Sequence, residues 1–257
     1  MHWALLSDTH IPEDAEDAYR GFKPVDNLKK AVPMVLDAKP QGVLICGDAA
    51  RLKGTPGDYQ ALRNLLEPIA KQMPVAIALG NHDDRKNFLQ VFGASQRGAQ
   101  PVKNRHVVVI ESPAVRFIVL DSLIMPNFTP GLLGKDQRTW LAQYLDSASP
   151  LPTVLFMHHT PDDSDSALLD MPRLMEIIKD RRSVKAVVFG HSHRYLHLAW
   201  EGIQMINLPA LGYNFNDDQP VGWVDAVFTG KGATLTLHAI GGNTERNGKS
   251  VVLPWRA

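Results

Sequence analysis

Across 257 residues, 27 Lys+Arg balance 27 Asp+Glu, 44% of positions are hydrophobic and 21% are charged. That composition excludes a disordered or collagen-like chain and leaves enough apolar content for one continuous core, so a single domain over 1–257 is the expectation. Zero formal net charge supplies no basic face for nucleic acid or an anionic membrane, and neither is expected as a partner.

Short β-branched and apolar runs alternate with segments of helical period, the pattern of parallel strands joined by helical crossovers. A strand near 3–7 is followed by a helix near 25–38, a strand near 42–46, a helix near 58–72, a strand near 74–79 and a helix near 84–92. Strands near 106–111 and 115–121, turned at Ser112-Pro113, read as a hairpin. A helix near 135–147, a strand near 152–157 and a helix near 166–180 come next, then strands near 185–189, 203–207, 222–229 and 233–240. The last third is richer in strand than in helix, so the fold class is α/β with a mixed sheet system. Pro-, Asn- and Asp-rich stretches at 126–134, 160–165 and 213–220 read as surface loops, and the first and last are candidates for a homodimer face. Cys46 closes the apolar run Val43-Leu44-Ile45 and reads as a small core residue. No run of about 18 apolar residues could span a bilayer and no basic stretch leads into an apolar signal core, so a soluble, cytoplasmic protein is expected.

Six of the ten histidines fall in four short clusters: Asp8-Thr9-His10, Asn81-His82, His158-His159 and His191-Ser192-His193. Each directly follows an expected strand, as does Gly47-Asp48. Any one cluster is weak evidence, since a lone D-x-H arises by chance and a lone Asn is usually a turn residue. Five of them at strand ends converge on one crevice, because ligands of open α/β sheets bind beyond the carboxyl ends of the strands. Asp, Asn and His donors without thiolate suit manganese, iron, zinc or cobalt. Seven candidate ligands, Asp8, His10, Asp48, Asn81, His158, His191 and His193, are too many for one ion that keeps an open position. Two ions sharing a carboxylate use them economically, and such a pair suits phosphate ester hydrolysis.

Together Asp8-x-His10, Gly47-Asp48, Gly80-Asn81-His82-Asp83, His158-His159 and Gly190-His191-x-His193 resemble the calcineurin-like metallophosphoesterase superfamily across essentially the whole chain. The resemblance implies two mixed β-sheets packed as a sandwich with flanking helices. It implies that Asp8, His10, Asp48 and His193 hold one metal, and that Asp48, Asn81, His158 and His191 hold the other, with Asp48 bridging. His82 would then stand beside the phosphate and protonate the leaving oxygen or stabilise the transition-state charge, and His159 would support a ligand rather than bind metal. The runs Gly80-Asn81-His82-Asp83-Asp84-Arg85, Gly54-Thr55-Pro56-Gly57-Asp58-Tyr59 and His158-His159-Thr160-Pro161 are similar to the class III cyclic-nucleotide phosphodiesterase group, which in turn resembles glycerophosphodiesterases. The implied activity is a phosphodiesterase that cleaves small diesters such as cyclic nucleotides or glycerophosphodiesters through a metal-bridging hydroxide. The alternatives are a phosphomonoesterase, a non-catalytic binding scaffold and a nuclease.

One position departs from the family pattern. Many relatives read Gly-Asp-x-x-Asp after the second strand, the second Asp orienting the acid histidine, whereas here the run is Gly47-Asp48-Ala49-Ala50-Arg51. Asp83 or Asp84 would have to orient His82 instead, or the histidine works with less support. Arg51 itself is expected either as a solvated loop residue or as a phosphate contact, and Arg85 and Arg194 are further single cations that could grip phosphate. Phe128, Tyr213 and Phe215 are candidates to stack on a base, and Asp162, Asp163 and Asp165 form an acidic loop after His158. His2, His106, His197 and His238 read as surface or internally satisfied histidines. Trp140, Leu141 and Leu145 read as core.

Overall fold

A computed structural model describes residues 1–93 and 101–257. Its first half alternates strand and helix: β1 (His2–Leu6), α1 (Pro24–Ala38), β2 (Gly42–Cys46), α2 (Pro56–Ala70), β3 (Val75–Ala78) and α3 (Arg85–Phe92). The hairpin β4 (Val108–Glu111) and β5 (Arg116–Val119) follows, then α4 (Lys135–Ser147), β6 (Thr153–Phe156), α5 (Met171–Ile178) and β7 (Val184–Phe189). The chain closes with β8 (Leu196–Trp200), β9 (Ile203–Asn207), β10 (Pro220–Phe228), β11 (Gly232–Gly242) and β12 (Ser250–Pro254).

These strands form two mixed six-stranded sheets, in the orders β12-β11-β10-β1-β2-β3 and β4-β5-β6-β7-β9-β8. In β1, Trp3 and Leu5 face the space between the sheets while Ala4 and Leu6 face the helices outside, as the two-residue period of a strand requires. Both faces of a strand such as β2 are therefore covered, which is why its sequence is apolar throughout rather than alternating. Between the sheets, Phe117 is the hub, edge-on to Trp3 at 5.5 Å and to Phe156 and Phe228 at 4.9 Å each. Helices α1, α2 and α3 bury Leu28, Leu62 and Phe88 against the first sheet. Helices α4 and α5 bury Leu141, Leu145 and Leu174 against the second.

Three elements differ from the sequence expectation. Strands β8 and β12 lie outside the sequence expectation: each is a five-residue edge strand that pairs with one neighbour only, β9 or β11, and runs this short are defined by that pairing rather than by their own pattern. Helix α5 begins at Met171 rather than near 166, because Leu168 and Leu169 are drawn out of helical geometry by hydrogen bonds to the Thr160 and Gly131 carbonyls. None of the described helices is long and apolar enough to cross a membrane.

Candidate metal centre

Parallel pairing of β1 with β2, β2 with β3, and β6 with β7 aligns their carboxyl ends along one rim of the sandwich. Asp8 follows β1, Asp48 follows β2, Asn81 follows β3, His158 follows β6, and His191 and His193 follow β7. To turn side chains inward immediately after a strand, the backbone adopts left-handed geometry at Asp8 (φ 50), His10 (φ 46), Asp48 (φ 46), His191 (φ 69) and His193 (φ 53). Non-glycine residues occupy this region at a cost, and such strain collects at functional sites. Glycine is required where the strands crowd: a Cβ on Gly80 would overlap the Asp48 carboxylate and the His158 ring.

All seven expected ligands converge. The Nε2 atom of His193 lies 3.2 Å from Asp8 Oδ1 and 3.2 Å from His10 Nε2. Asp48 Oδ2 lies 3.8 Å from His10 Nε2 and 3.3 Å from His158 Nε2, and His158 Nε2 is 3.2 Å from His191 Nδ1. Ligand atoms of Asp8, His10 and His193 fall within 4.8 Å of one another, as do those of Asp48, His158 and His191. Asn81 is 3% exposed, and its Oδ1 atom has no partner among the described residues.

Three of the imidazoles are fixed by backbone carbonyls. His193 Nδ1 donates to Tyr213 O at 2.6 Å, His158 Nδ1 to Cys46 O at 2.9 Å and His191 Nε2 to Ser166 O at 2.9 Å. Each bond turns the opposite ring nitrogen into the cluster, the arrangement that orients metal-binding histidines. Both carboxylates are oriented in the same manner. Asp8 Oδ2 accepts from Ser7 Oγ, the His191 N–H is shared between both Asp8 oxygens, and Asp48 Oδ1 accepts from the His82 N–H at 2.8 Å, which turns Oδ1 of Asp8 and Oδ2 of Asp48 to the cluster.

Burial acts on every charge here. It pushes the Asp8 and Asp48 carboxyls up, but the charges and hydrogen bonds of His193 and His158 outweigh it and hold both well below the usual carboxylate range. It lowers His10 to about 3 and His191 to about 4, so both are neutral donors at pH 7. At His158 burial is overcome by Asp48 and Asp8, which push it up to about 9. Facing imidazole nitrogens 3.2 Å apart, buried ionised carboxylates and an unpartnered amide oxygen are the donor set that divalent cations satisfy. Cys46 is buried with its Sγ 3.1 Å from Met157 O and offers the cluster no thiolate.

His82 lines the same cavity, of about 280 Å³, together with His10, Asp48 and Asn81, and its ring centroid is 5.3 Å from that of His10. Neither expected carboxylate orients it. Asp83 is consumed by the Gly80, Ala49 and Ala50 N–H groups and the Tyr59 hydroxyl, and Asp84 caps α3 through the Asn87 N–H. His82 Nδ1 instead meets the Leu52 carbonyl oxygen at 2.9 Å.

Arg51 is mostly buried, and it does not line the metal cavity. Its Nε lies 3.3 Å from Asp17, and its guanidinium sits over the Tyr19 and Tyr213 rings at 5.4 and 5.8 Å. Arg85 is likewise engaged, forked onto Asp121. Tyr213 is no base shelf: it is buried, stacks on His10 at 4.7 Å and supplies the carbonyl that fixes His193. Phe215 stacks on His193 at 4.0 Å and lines the cavity, whereas Phe128 is exposed and does not. His159 is buried behind His158 and His191, with Nδ1 2.7 Å from Ser122 Oγ. His106 is a core residue rather than a surface one, 3% exposed. The support from Tyr19, Asp17 and the carbonyls of Leu52, Cys46 and Ser166 was missed in the sequence, since a backbone carbonyl carries no residue signature.

Residues 1–195 match the family model described as calcineurin-like phosphoesterase, and the chain belongs to that family of metal-dependent phosphoester hydrolases with a dinuclear metal centre. It is 29% identical to the glycerophosphodiester phosphodiesterase GpdQ of Enterobacter lignolyticus over 82% of this chain and 77% of that protein. It is 30% identical to a cAMP/cGMP dual specificity phosphodiesterase of Mycobacterium tuberculosis over 77% of this chain and 63% of that one. Among solved structures, a dimetal phosphatase from Danio rerio shares the fold with a TM-score of 0.76 at 15% identity, covering 100% of this chain and 99% of that chain.

Proposed function

We propose that this protein is a dinuclear-metal phosphodiesterase acting on small diesters such as cyclic nucleotides or glycerophosphodiesters. The observation that carries this reading is the Asp48 carboxylate, whose Oδ2 reaches toward His10 on one side and His158 on the other. Asp8, His10, Asp48 and His193 would hold one ion, and Asp48, Asn81, His158 and His191 the other. Manganese, iron, zinc and cobalt all suit these nitrogen and oxygen donors. Such a metal pair supplies Lewis acidity toward phosphoryl oxygens and a nucleophile at neutral pH.

The chain's own residues do the rest. The His82 N–H fixes the Asp48 carboxylate, and the His82 side chain, which lines the cavity and donates through Nδ1 to the Leu52 carbonyl, would in its imidazolium form give the proton on Nε2 to the departing alcohol. Diester rather than monoester preference is supported by charge: no Lys or Arg lines this cavity among the described residues, and Arg51 and Arg85 are already paired. A monoanionic diester needs less compensation than a dianionic monoester. Pairing of two copies through 126–134 and 213–220 belongs to the same proposal, supported by the exposure of Phe128 and Phe215.

Hydrolysis of bis-p-nitrophenyl phosphate and p-nitrophenyl phosphate by manganese-loaded and chelator-stripped protein tests the reading. The diester should be preferred and its turnover lost on stripping. Preference for the monoester would reassign the enzyme as a phosphatase.

A further inference from the structure

A second cavity adjoins the metal site. The outer helices bury Leu155 of β6, Val187 of β7 and Met205 of β9, but the edge strand β8 stands beyond them, with Leu196 and Leu198 49% and 50% exposed. Leu196, Leu198 and Trp200 alternate with His197 and Ala199 and so share one face. With Met205 they face Met171 and Met175 of α5 across a groove of about 460 Å³. Methionine-rich walls adapt to chains of varied shape.

The groove begins at the metals. Thr160, Asp162 and Ser192 line both cavities. Leu196 pairs with Asn207, which pairs with Phe189 at the carboxyl end of β7, just before His191. From there the strand carries the apolar face four residues on to Trp200, roughly 13 Å at 3.3 Å per residue. Polar groups in its floor are already spent: Ser192 Oγ donates to Asn207 Oδ1, and Asn207 Nδ2 donates to the carbonyls of Phe189 and Gly190. The hydrogen-bonding edge of a nucleobase would find no partner on that floor, whereas a hydrocarbon chain needs none. At the rim, Glu176 is paired with Lys179 at 2.9 Å, Asp162 accepts from Ser164, and Arg194 has no ion pair or hydrogen bond among the described residues.

We propose that this groove takes the hydrocarbon arm of an amphiphilic phosphodiester, with the phosphate at the metal cavity and one alkyl-bearing alcohol laid between α5 and β8. This assignment rests on the phosphodiesterase reading and narrows its substrate class to diesters with one unbranched apolar substituent.

The test is a series of p-nitrophenyl alkyl phosphates with methyl, butyl and octyl arms, assayed below the micelle concentration on the manganese-loaded full chain. The leaving group is constant, so only the arm varies. We expect kcat/KM to rise at least tenfold from methyl to octyl, and the octyl-to-methyl ratio to fall toward one in Leu198→Asp and in Leu196→Asn. Both replaced side chains are half-exposed, so folding survives the change. Calorimetry on chelator-treated protein should also detect octyl methylphosphonate and not methyl methylphosphonate, independently of turnover. Normal turnover with a ratio near one overturns the groove assignment and leaves the diesterase reading standing. Absence of turnover on every member overturns the diesterase reading, and the assignment of the arm to a substrate falls with it. An adenosyl or phenethyl arm that gains as much as octyl overturns the alkyl assignment. A dimer that dissociates in Leu198→Asp with the ratio unmoved gives the groove to a second copy of the chain and likewise overturns it.

Discussion

His82 Nδ1 lies 2.9 Å from the carbonyl oxygen of Leu52, a residue held in left-handed geometry at φ 53. That carbonyl stands in for the carboxylate that many relatives place after the second strand. It can orient the imidazole but cannot stabilise imidazolium as an ionised partner would. The His82 proton should therefore matter most when the leaving alcohol is poor. We expect His82→Ala to lower kcat by about 10²–10⁴-fold on an alkyl diester and far less on bis-p-nitrophenyl phosphate, whose leaving group departs without a proton. Equal losses on the two substrates would remove His82 from the role of acid.

Which parts of this site were legible in the sequence follows from what its atoms are. The seven ligand side chains are Asp, Asn and His immediately beyond apolar strands, so residue type and position coincide and each one stands out. The Leu52, Ser166 and Tyr213 carbonyls that orient His82, His191 and His193 belong to unremarkable residues, and only the folded backbone brings them into place. Similarly, β8 is only five residues long and is defined by its pairing with β9, whereas β2, buried on both faces, is a continuous apolar run.

Arg51 supports the loop that carries Leu52. Its guanidinium bridges Asp17 and the Tyr19 and Tyr213 rings, and both the Lys53 and Gly54 N–H groups bond its carbonyl. Arg51→Ala removes a partly exposed ion pair, worth little, and two cation–π contacts, together about 1 kcal/mol. In a chain of this size that is a fall of about 2–4 °C in Tm. Because Tyr213 fixes His193, kcat should fall with it, and Arg51→Lys should recover stability only in part. A thermal melt and a kcat measurement on both variants check this, and an unchanged Tm would mean the clamp does not form.

His106 gives a pH dependence with a defined sign. Burial lowers its pKa, despite the Asp121 charge and a bond to the Ile77 carbonyl at 3.0 Å, and its Nδ1 has no partner among the described residues. The unfolded chain, with a histidine pKa of about 6.5, takes up this proton more readily than the folded one. The associated stability is thus present above that pH and lost as pH falls toward the lowered folded value, at no more than about 1.4 kcal/mol per pH unit. Urea midpoints at pH 7.5 and 5.5 should differ less in His106→Gln than in the native chain. Equal pH dependence in the two proteins would show that His106 protonates freely in the folded state.

Asp48 joins the two halves of the site, its Oδ2 lying 3.3 Å from His158 and 3.8 Å from His10. Asp48→Asn removes the charge common to both halves while keeping shape and the acceptor for the His82 N–H. Metal content by mass spectrometry should fall below two ions per chain, and kcat/KM by at least about 10²-fold. Stripping the native chain with chelator should act on stability in the same direction. An ion at 1,000 times its Kd contributes about 4 kcal/mol, and about 1 kcal/mol moves Tm by 2–4 °C here, so the loss of even one ion should lower Tm by roughly 10 °C. In Asp48→Asn the chelator should shift Tm by much less, because less metal is bound and one buried charge is gone. A native chain whose Tm ignores the chelator would show that Asp8, Asp48 and their histidines are balanced by protons alone, as the elevation of His158 to about 9 permits.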